Sequence, residues 1–428
     1  MNRQWARGFL LYSSKVHHVG RMVNRANDGR PKPQIGSDVI FAVMFLGFAH
    51  RIKSMEELDR EIRKGRYRKV IPRGKRLPSH DTVRRALCHW DLDTLQASHD
   101  QFVTKFKQLK GPTLGAIDGW RVAAIDGVEL FSTVGRCCPD CQIRRHKDSG
   151  VTDYFHRAVF MQKVGGDPRV IYGALTLGGR DGSEKAEGES VGTRRLIEHV
   201  RKHAGHVADI LTMDALFAKA PVIHAALDAH MDVVIRMKEE RRTIMQDAKG
   251  LFDAREPDAK WTEKDSHGNK VTVLAWDEEE LQSWPQVRVP MRIVKVIRTT
   301  ERSILRGNKT QTQVEVVERW MATTCTQSAV ATRTVARITA ARWDIENNGF
   351  HDLKTYWHMD HAFVHDPTAI QAWLGILLLA VNLMYTFVYE HLHHFREWNI
   401  PLQDVIEEIK EQMRWGLAGH TKVLWDTG

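Results

Sequence analysis

The spacing of apolar and polar positions changes character several times along the chain. Up to about residue 112 it is helical. SDVIFAVMFLGFAHRI reads as a helix behind a Ser cap, and MEELDREIRKGRYRKVIPRGKR and SHDTVRRALCHWDLDTL continue the pattern. Pro72, Gly74 and Pro78 interrupt this region, and Ser79 is a cap for a helix starting at His80. Beyond Gly111 the period shortens. WRVAAIDGVELFST, FHRAVFMQKVGG and PRVIYGALTLGG read as three strands, the last two closed by Gly pairs. GTRRLIEHVRKHA then reads as a helix, ADILTMDALF as a strand, APVIHAALDAH as a helix and MDVVIRMK as a strand. Three strands, helix, strand, helix, strand imply a mixed sheet with helices packed on it, an α/β domain. From about Glu239 to Cys325 the pattern is that of β-hairpins, with turns at HGN and RGN. ATRTVARITAARWDIENNGFHDLK returns to helix, and the rest stays helical. These shifts divide the chain into residues 1–112, 113–238, 239–328 and 329–428: a helical domain, the first part of an α/β core, a β-rich insertion, and a helical region that completes the core.

Charge sharpens this division. Of the 428 residues, 63 are Lys or Arg and 53 Asp or Glu, a net charge of +10. Residues 1–112 hold 23 basic and 10 acidic residues, leaving 40 and 43 for the remainder. A basic front on a near-neutral body points to a polyanion-binding module joined to something else. Nine basic residues and one acid, Glu61, lie between Arg60 and Arg76. Arg66, Arg68, Lys69, Arg73, Lys75 and Arg76 in this loop, with Arg84 and Arg85 on the capped helix after it, are the candidate DNA contacts. The membrane candidate, Ala372–Tyr389, has Asn382 inside it and reads as a buried core helix. Arg3 and Arg7 precede an apolar run too short for a signal peptide. With 5 cysteines the chain is no disulfide scaffold, and the expected location is cytoplasmic and nucleoid-associated, with no membrane partner.

Three carboxylates stand out because each follows or sits in an apolar element: Asp126 in VAAIDG, Asp214 in ADILTMDALF and Glu346 in ARWDIENN. If the first and fourth strands are neighbours, Asp126 and Asp214 end side by side, and a helix crossing that edge can add Glu346. Three carboxylates that close repel one another, and divalent cations relieve the repulsion. Two Mg²⁺ ions, or Mn²⁺ as substitute, held by these oxygens would suit phosphodiester cleavage. Asp118 belongs to a second copy of the same tetrapeptide, AIDG; Asp126 is favoured because VELFS continues its strand, whereas Asp118 precedes Gly119 in a turn. Asp344 is set aside because it lies two residues, about 200°, from Glu346 on a helix.

The order of these elements and carboxylates resembles the RNase H-like DDE transposases of bacterial insertion sequences, in particular the group with a β-rich insertion before the catalytic Glu and a Tyr-Arg-Glu-Lys signature around it. The resemblance covers residues of about 121–355, with spacings of 88 between Asp126 and Asp214 and 132 between Asp214 and Glu346. It implies an RNase H-like mixed sheet carrying an all-β insertion, with an N-terminal helical DNA-binding domain and a helical C-terminal region. It assigns catalysis to Asp126, Asp214 and Glu346. Arg342 fits the Arg of the signature and would contact a phosphate. Thr339 stands where the Tyr belongs, and Leu353 where the Lys belongs, with Lys354 one residue on. On a regular helix Arg342 lies about 40° and Lys354 about 80° from Glu346, so Lys354 would need a break at Gly349 to join them. The implied partners are terminal inverted repeats and target DNA, bound by a homodimer. The implied activity is Mg²⁺-dependent cleavage and joining of DNA ends. An inactive or domesticated DNA-binding derivative is the alternative.

Cys137, Cys138 and Cys141 in RCCPDCQIRRH form a second cluster. CxxC with an adjacent third Cys fits Zn²⁺, with His146, His156 or Cys325 as the fourth ligand. On that reading the protein could instead be a zinc-dependent DNA-binding regulator.

Overall fold

The computed structural model describes residues 4–109, 113–135, 138–178, 187–238, 241–306, 309–392, 395–416 and 423–425. Its organising element is β1 (Val122–Thr133), whose first four residues are all buried because the sheet is covered on both faces. β2 (Gln142–Arg145), β3 (Thr152–Val164) and β4 (Ile171–Thr176) follow, with β3 antiparallel to β1 and both β2 and β4 on the far edge of β3. β2 is an addition to the three strands read from the sequence; its four residues are too few to show a period. α7 (Glu189–Ala204), β5 (Ile210–Met213), α8 (Ala220–Asp228) and β6 (Asp232–Met237) come in the expected order. β5 runs parallel to β1 and β6 parallel to β5. The order β4-β3-β1-β5-β6, antiparallel on one side of β1 and parallel on the other, is an RNase H-like sheet.

The segment after β6 is β-rich, as the sequence indicates, but opens with a helix, α9 (Thr243–Asp253). Ile244, Met245, Ala248 and Phe252 bury one face of it, a helical spacing that the neighbouring β-hairpins conceal in the sequence. β7 (Ala259–Lys264), β8 (Lys270–Leu281), β9 (Met291–Arg306) and β10 (Lys309–Thr323) form successive hairpins. The β7–β8 hairpin turns at His267–Asn269; at the turn between β9 and β10, Gly307 and Asn308 lie outside the described residues. These strands do not form a separate layer. Trp320–Thr323 of β10 pair with Met237–Val234 of β6, so the hairpins prolong the core sheet.

Before β1 lie α1 (Trp5–Lys15), α2 (Val19–Arg25), α3 (Ser37–Ala49), α4 (Met55–Arg63), α5 (His80–Leu87) and α6 (Leu92–Gln108). After β10 come α10 (Thr332–Ala341), a π-helical turn Ile345–Phe350, α11 (His351–Thr355), α12 (Pro367–Thr386) and α13 (Leu402–Gly416). The Ser79 cap forms, its Oγ accepting from the Thr82 N–H at 3.3 Å. Ser37 does not cap α3: its hydroxyl donates to Asp28 Oδ2 at 2.7 Å, and the helix starts from Gly36 instead. α12 is the apolar segment that matched a membrane span by composition. In the fold most of it is buried, against α3, α6 and β4. Asn382, the polar residue within it, is completely buried and satisfied by the backbone of Ile171, accepting from its N–H and donating to its C=O at 2.9 Å each. The terminal helices share this core: Phe9 packs edge-on to Phe387 and Trp5 stacks on Trp398.

Candidate active site

The strand register brings Asp126 and Asp214 level. Ala124 pairs with Thr212 across the parallel β1–β5 ladder, and each Asp lies two residues further on. Asp214 ends β5, its Oδ1 accepting from the Leu216 N–H at 2.8 Å. Gly127 follows Asp126 for two local reasons: its N–H donates to Asp126 Oδ1 at 2.9 Å, and a Cβ there would strike the Glu189 carboxylate at the start of α7. Glu346 enters from the π-helical turn. Asp126, Asp214 and Glu346 line one open cleft of about 660 Å³, together with Glu129, His351 and Lys354.

Arg342 lies beneath two of these acids. Its side chain is 3% exposed, and Nη1 is 2.6 Å from Glu346 Oε1 and 3.3 Å from Asp126 Oδ2. The Arg342–Glu346 pair is the i,i+4 contact expected from helical spacing. Burial, then the hydrogen bond and charge of Glu346, push the Asp126 carboxyl up to about 7 against the opposing pull of the Gly127 N–H and Arg342. Asp126 and Glu346 therefore compete for one cation, and Asp126 holds its proton more tightly than a free carboxyl does. Lys238 Nζ stands 3.8 Å from Asp214 Oδ2.

This arrangement has a measurable consequence. A carboxyl whose folded-state pKa exceeds its usual 3.8 holds its proton more tightly when folded. Its stabilising contribution is complete below that value and is lost as pH rises through about 7. Asn at this position resembles the protonated Asp and never ionises. In chelator, Asp126→Asn is expected to exceed the wild type in stability at about pH 8, by on the order of 2 kcal/mol, with the difference vanishing near pH 4. Thermal unfolding at both pH values measures it; equal melting temperatures at the higher pH would contradict it.

The rival acids are engaged elsewhere. Asp118 adopts φ +50° in a turn, accepts from Thr334 Oγ1 at 2.8 Å and pairs with Arg337 on α10. Asp344 accepts from the Gly165 N–H at 3.1 Å and from Asn348. Thr339, at the Tyr position of the signature, is buried with its hydroxyl on the Val335 carbonyl. The break expected at Gly349 is absent. The helix widens there into the π-helical turn, and Gly349 meets the Gln162 side chain so closely that a Cβ would clash. A π-turn accommodates one extra residue. Lys354, eight residues after Glu346, thereby faces the cleft, while Leu353 is buried. Nothing in the sequence marks Glu129 and His351, because strand alternation gives no reason to group residues three apart and the π-turn has no sequence signature. Glu129 Oε2 accepts from Arg144 Nη1 at 2.9 Å.

The candidate DNA contacts divide into two sets. Arg68, Arg73, Arg76, Arg84 and Arg85 are exposed. Arg66 is paired with Glu61 and Lys75 with Asp38, so part of their charge is neutralised internally. Lys69 lies in the short 3₁₀ turn Arg66–Lys69. In the cysteine cluster, Cys137 lies outside the described residues. Cys138, Cys141 and His156 come together, all buried. Burial, then Cys141, pushes the Cys138 thiol up to about 12. The other two candidate ligands are elsewhere: His146 pairs with Asp153 at 2.7 Å, and the Cys325 N–H donates to Thr323.

An RNase H-like sheet with acidic side chains converging at the ends of its first and fourth core strands defines the class. Residues 183–383 match the family model described as the transposase DDE domain. That span includes Asp214 and Glu346; Asp126 lies before it. No curated protein matches the chain. Among solved structures, the chain resembles the piggyBac transposase in a synaptic complex with hairpin DNA, with TM-score 0.46 and 11% identity, over 97% of this chain and 81% of that one.

Proposed function

We propose that the protein cleaves DNA at the ends of its own mobile element and joins those ends to target DNA, using Asp126, Asp214 and Glu346 as catalytic carboxylates. The observation that carries this reading is the convergence of the three acids on one cleft, two of them within the segment that matches the transposase DDE family model. Three hard oxygen donors, two of them already competing for the Arg342 guanidinium, suit divalent cations, and Mg²⁺ prefers such ligands. Asp126, Asp214 and Glu346 would hold the ions. When bound, a pair of such ions supplies charge stabilisation to the phosphodiester and acidifies the attacking water or 3′-hydroxyl. Arg342 orients Asp126 and Glu346, and Lys354 offers the cleft a positive charge for a phosphate. The working unit proposed from family resemblance is a homodimer that holds two element ends.

The exposed arginines Arg68, Arg73, Arg76, Arg84 and Arg85 would track the backbone of the terminal repeats. Replacing Arg73 and Arg76 together by Ala is expected to weaken binding across sequences and to lower the slope of log K against log salt by about 0.9 for each phosphate that is no longer neutralised. Anisotropy titrations over a salt series measure the slope; an unchanged slope places the DNA elsewhere. The activity itself is tested on duplexes that carry the inverted repeats flanking the reading frame. Mg²⁺-dependent cuts at the repeat ends support the reading. Tight binding without any cut in Mg²⁺ or Mn²⁺ indicates an inactive DNA-binding derivative.

A further inference from the structure

The cysteine cluster lies outside the carboxylate cleft and has no part in the proposed chemistry. It sits where the connection between β1 and β2 folds back on β3. Cys138 Sγ is 3.6 Å from Cys141 Sγ and 3.2 Å from His156 Nε2, and Cys141 Sγ is 3.4 Å from the same nitrogen. We propose that Cys138, Cys141 and His156 are ligands of a Zn²⁺ ion that fastens this connection to the core sheet.

Three observations support the assignment. Zn–S bonds of about 2.3 Å and a Zn–N bond of about 2.0 Å at tetrahedral angles put two sulfurs about 3.7 Å apart, and sulfur and nitrogen about 3.5 Å apart. The three spacings found fall within a few tenths of an ångström of those edges. The separation of the sulfurs is too wide for a disulfide, whose S–S bond is about 2.05 Å. The residues are also placed as ligands require. Cys138 and Cys141 face one another across a turn closed by the Cys141 N–H on the Cys138 carbonyl at 3.3 Å, and His156 is held by the β3 ladder opposite Phe131. Finally, all three are buried, and two soft sulfurs with an imidazole select zinc over the hard cations suited to the carboxylates. Two thiolates and one Zn²⁺ are together neutral, so burial favours the metal-bound state over isolated thiolates.

His156 lies four residues from Phe160, the β3 partner of Asp126, or about 13 Å along the strand. The metal would thus fix the distal end of β1 and β3, where Arg144 and Arg157 lie over the Phe155 ring at 4.8 and 5.3 Å. Its role is structural, and it is independent of whether the carboxylate cleft cuts DNA.

Full-length protein, purified without a metal-affinity column and dialysed after growth in zinc, is to be assayed for bound metal by mass spectrometry. The expected content is about one zinc per chain in the wild type and in Asp214→Asn, and at least tenfold less in Cys138→Ser and His156→Ala. Because either variant could misfold, the wild type is also stripped with chelator and titrated with Co²⁺, for which a thiolate-to-metal charge-transfer band and protection of two thiols from a thiol reagent are expected. Absence of zinc from the wild type, zinc retained in both ligand variants, zinc lost in Asp214→Asn, or a Cys138–Cys141 disulfide in the purified protein would each overturn the proposal.

Discussion

Asp214→Asn is expected to lower Mg²⁺-dependent cleavage of repeat-end DNA by about 10³-fold or more while leaving DNA affinity within a factor of about two. The substitution changes one oxygen to nitrogen. The Leu216 N–H keeps an acceptor in the remaining side-chain oxygen, so the end of β5 retains its shape. What is lost is the negative charge that lets the side chain hold a divalent cation level with Asp126 across the β1–β5 ladder. Since the exposed arginines lie on the N-terminal helices and their loop, binding and cleavage should separate. Paired anisotropy and nicking assays on one duplex measure both. Undiminished cleavage would remove Asp214 from the chemistry; parallel loss of binding and cleavage would point to a folding defect.

Asp277→Ala should destabilise the protein by about 3–5 kcal/mol, because it leaves the Arg292 charge buried without its partner. Asp277 and Arg292 have side chains only 1% and 2% exposed. They meet in a bidentate pair, Nε to Oδ1 at 2.7 Å and Nη2 to Oδ2 at 2.6 Å. Arg292 also donates to the Val330 carbonyl at 2.7 Å, and Thr332 donates to Asp277 Oδ2 at 2.5 Å. These contacts tie β8 and β9 to the start of α10, the helix that leads into Arg342 and Glu346. Loosening them should lower both the melting temperature and cleavage. Replacing Asp277 and Arg292 together by apolar residues of similar volume should recover most of the stability, since no lone charge then remains. Thermal unfolding of the single and double variants decides this; equal losses in both would show that the charge is not the cause.

Much of the core was legible because its signals are local. Continuous apolar runs ending at Asp126 and Asp214 announce buried strands, and their order gives the sheet. Asp118 could be set aside because Gly119 marks a turn, and the structure places it at φ +50° against Thr334 and Arg337. What stayed hidden depends on contacts distant in sequence. The pairing of β10 with β6, which merges the insertion into the core sheet, leaves no trace in periodicity. α9 is masked in the sequence because its four buried residues lie beside strongly alternating hairpins. Nor could a wheel of 100° per residue place Lys354, because the π-helical turn at Ile345–Phe350 arises where Gly349 packs on Gln162, far away in β3. The same holds for His156: CPDC is visible in the sequence, but only the β1–β3 register selects it over His146 and Cys325.

The central claim is that Asp126, Asp214 and Glu346 act together as one cation site. A crystal soaked in Mn²⁺ and measured at its absorption edge addresses this directly. The account predicts anomalous density between the three carboxylates, absent from crystals of the Asp214→Asn variant. Crystals that show no anomalous density in the cleft, at Mn²⁺ concentrations that support cleavage in solution, would contradict it.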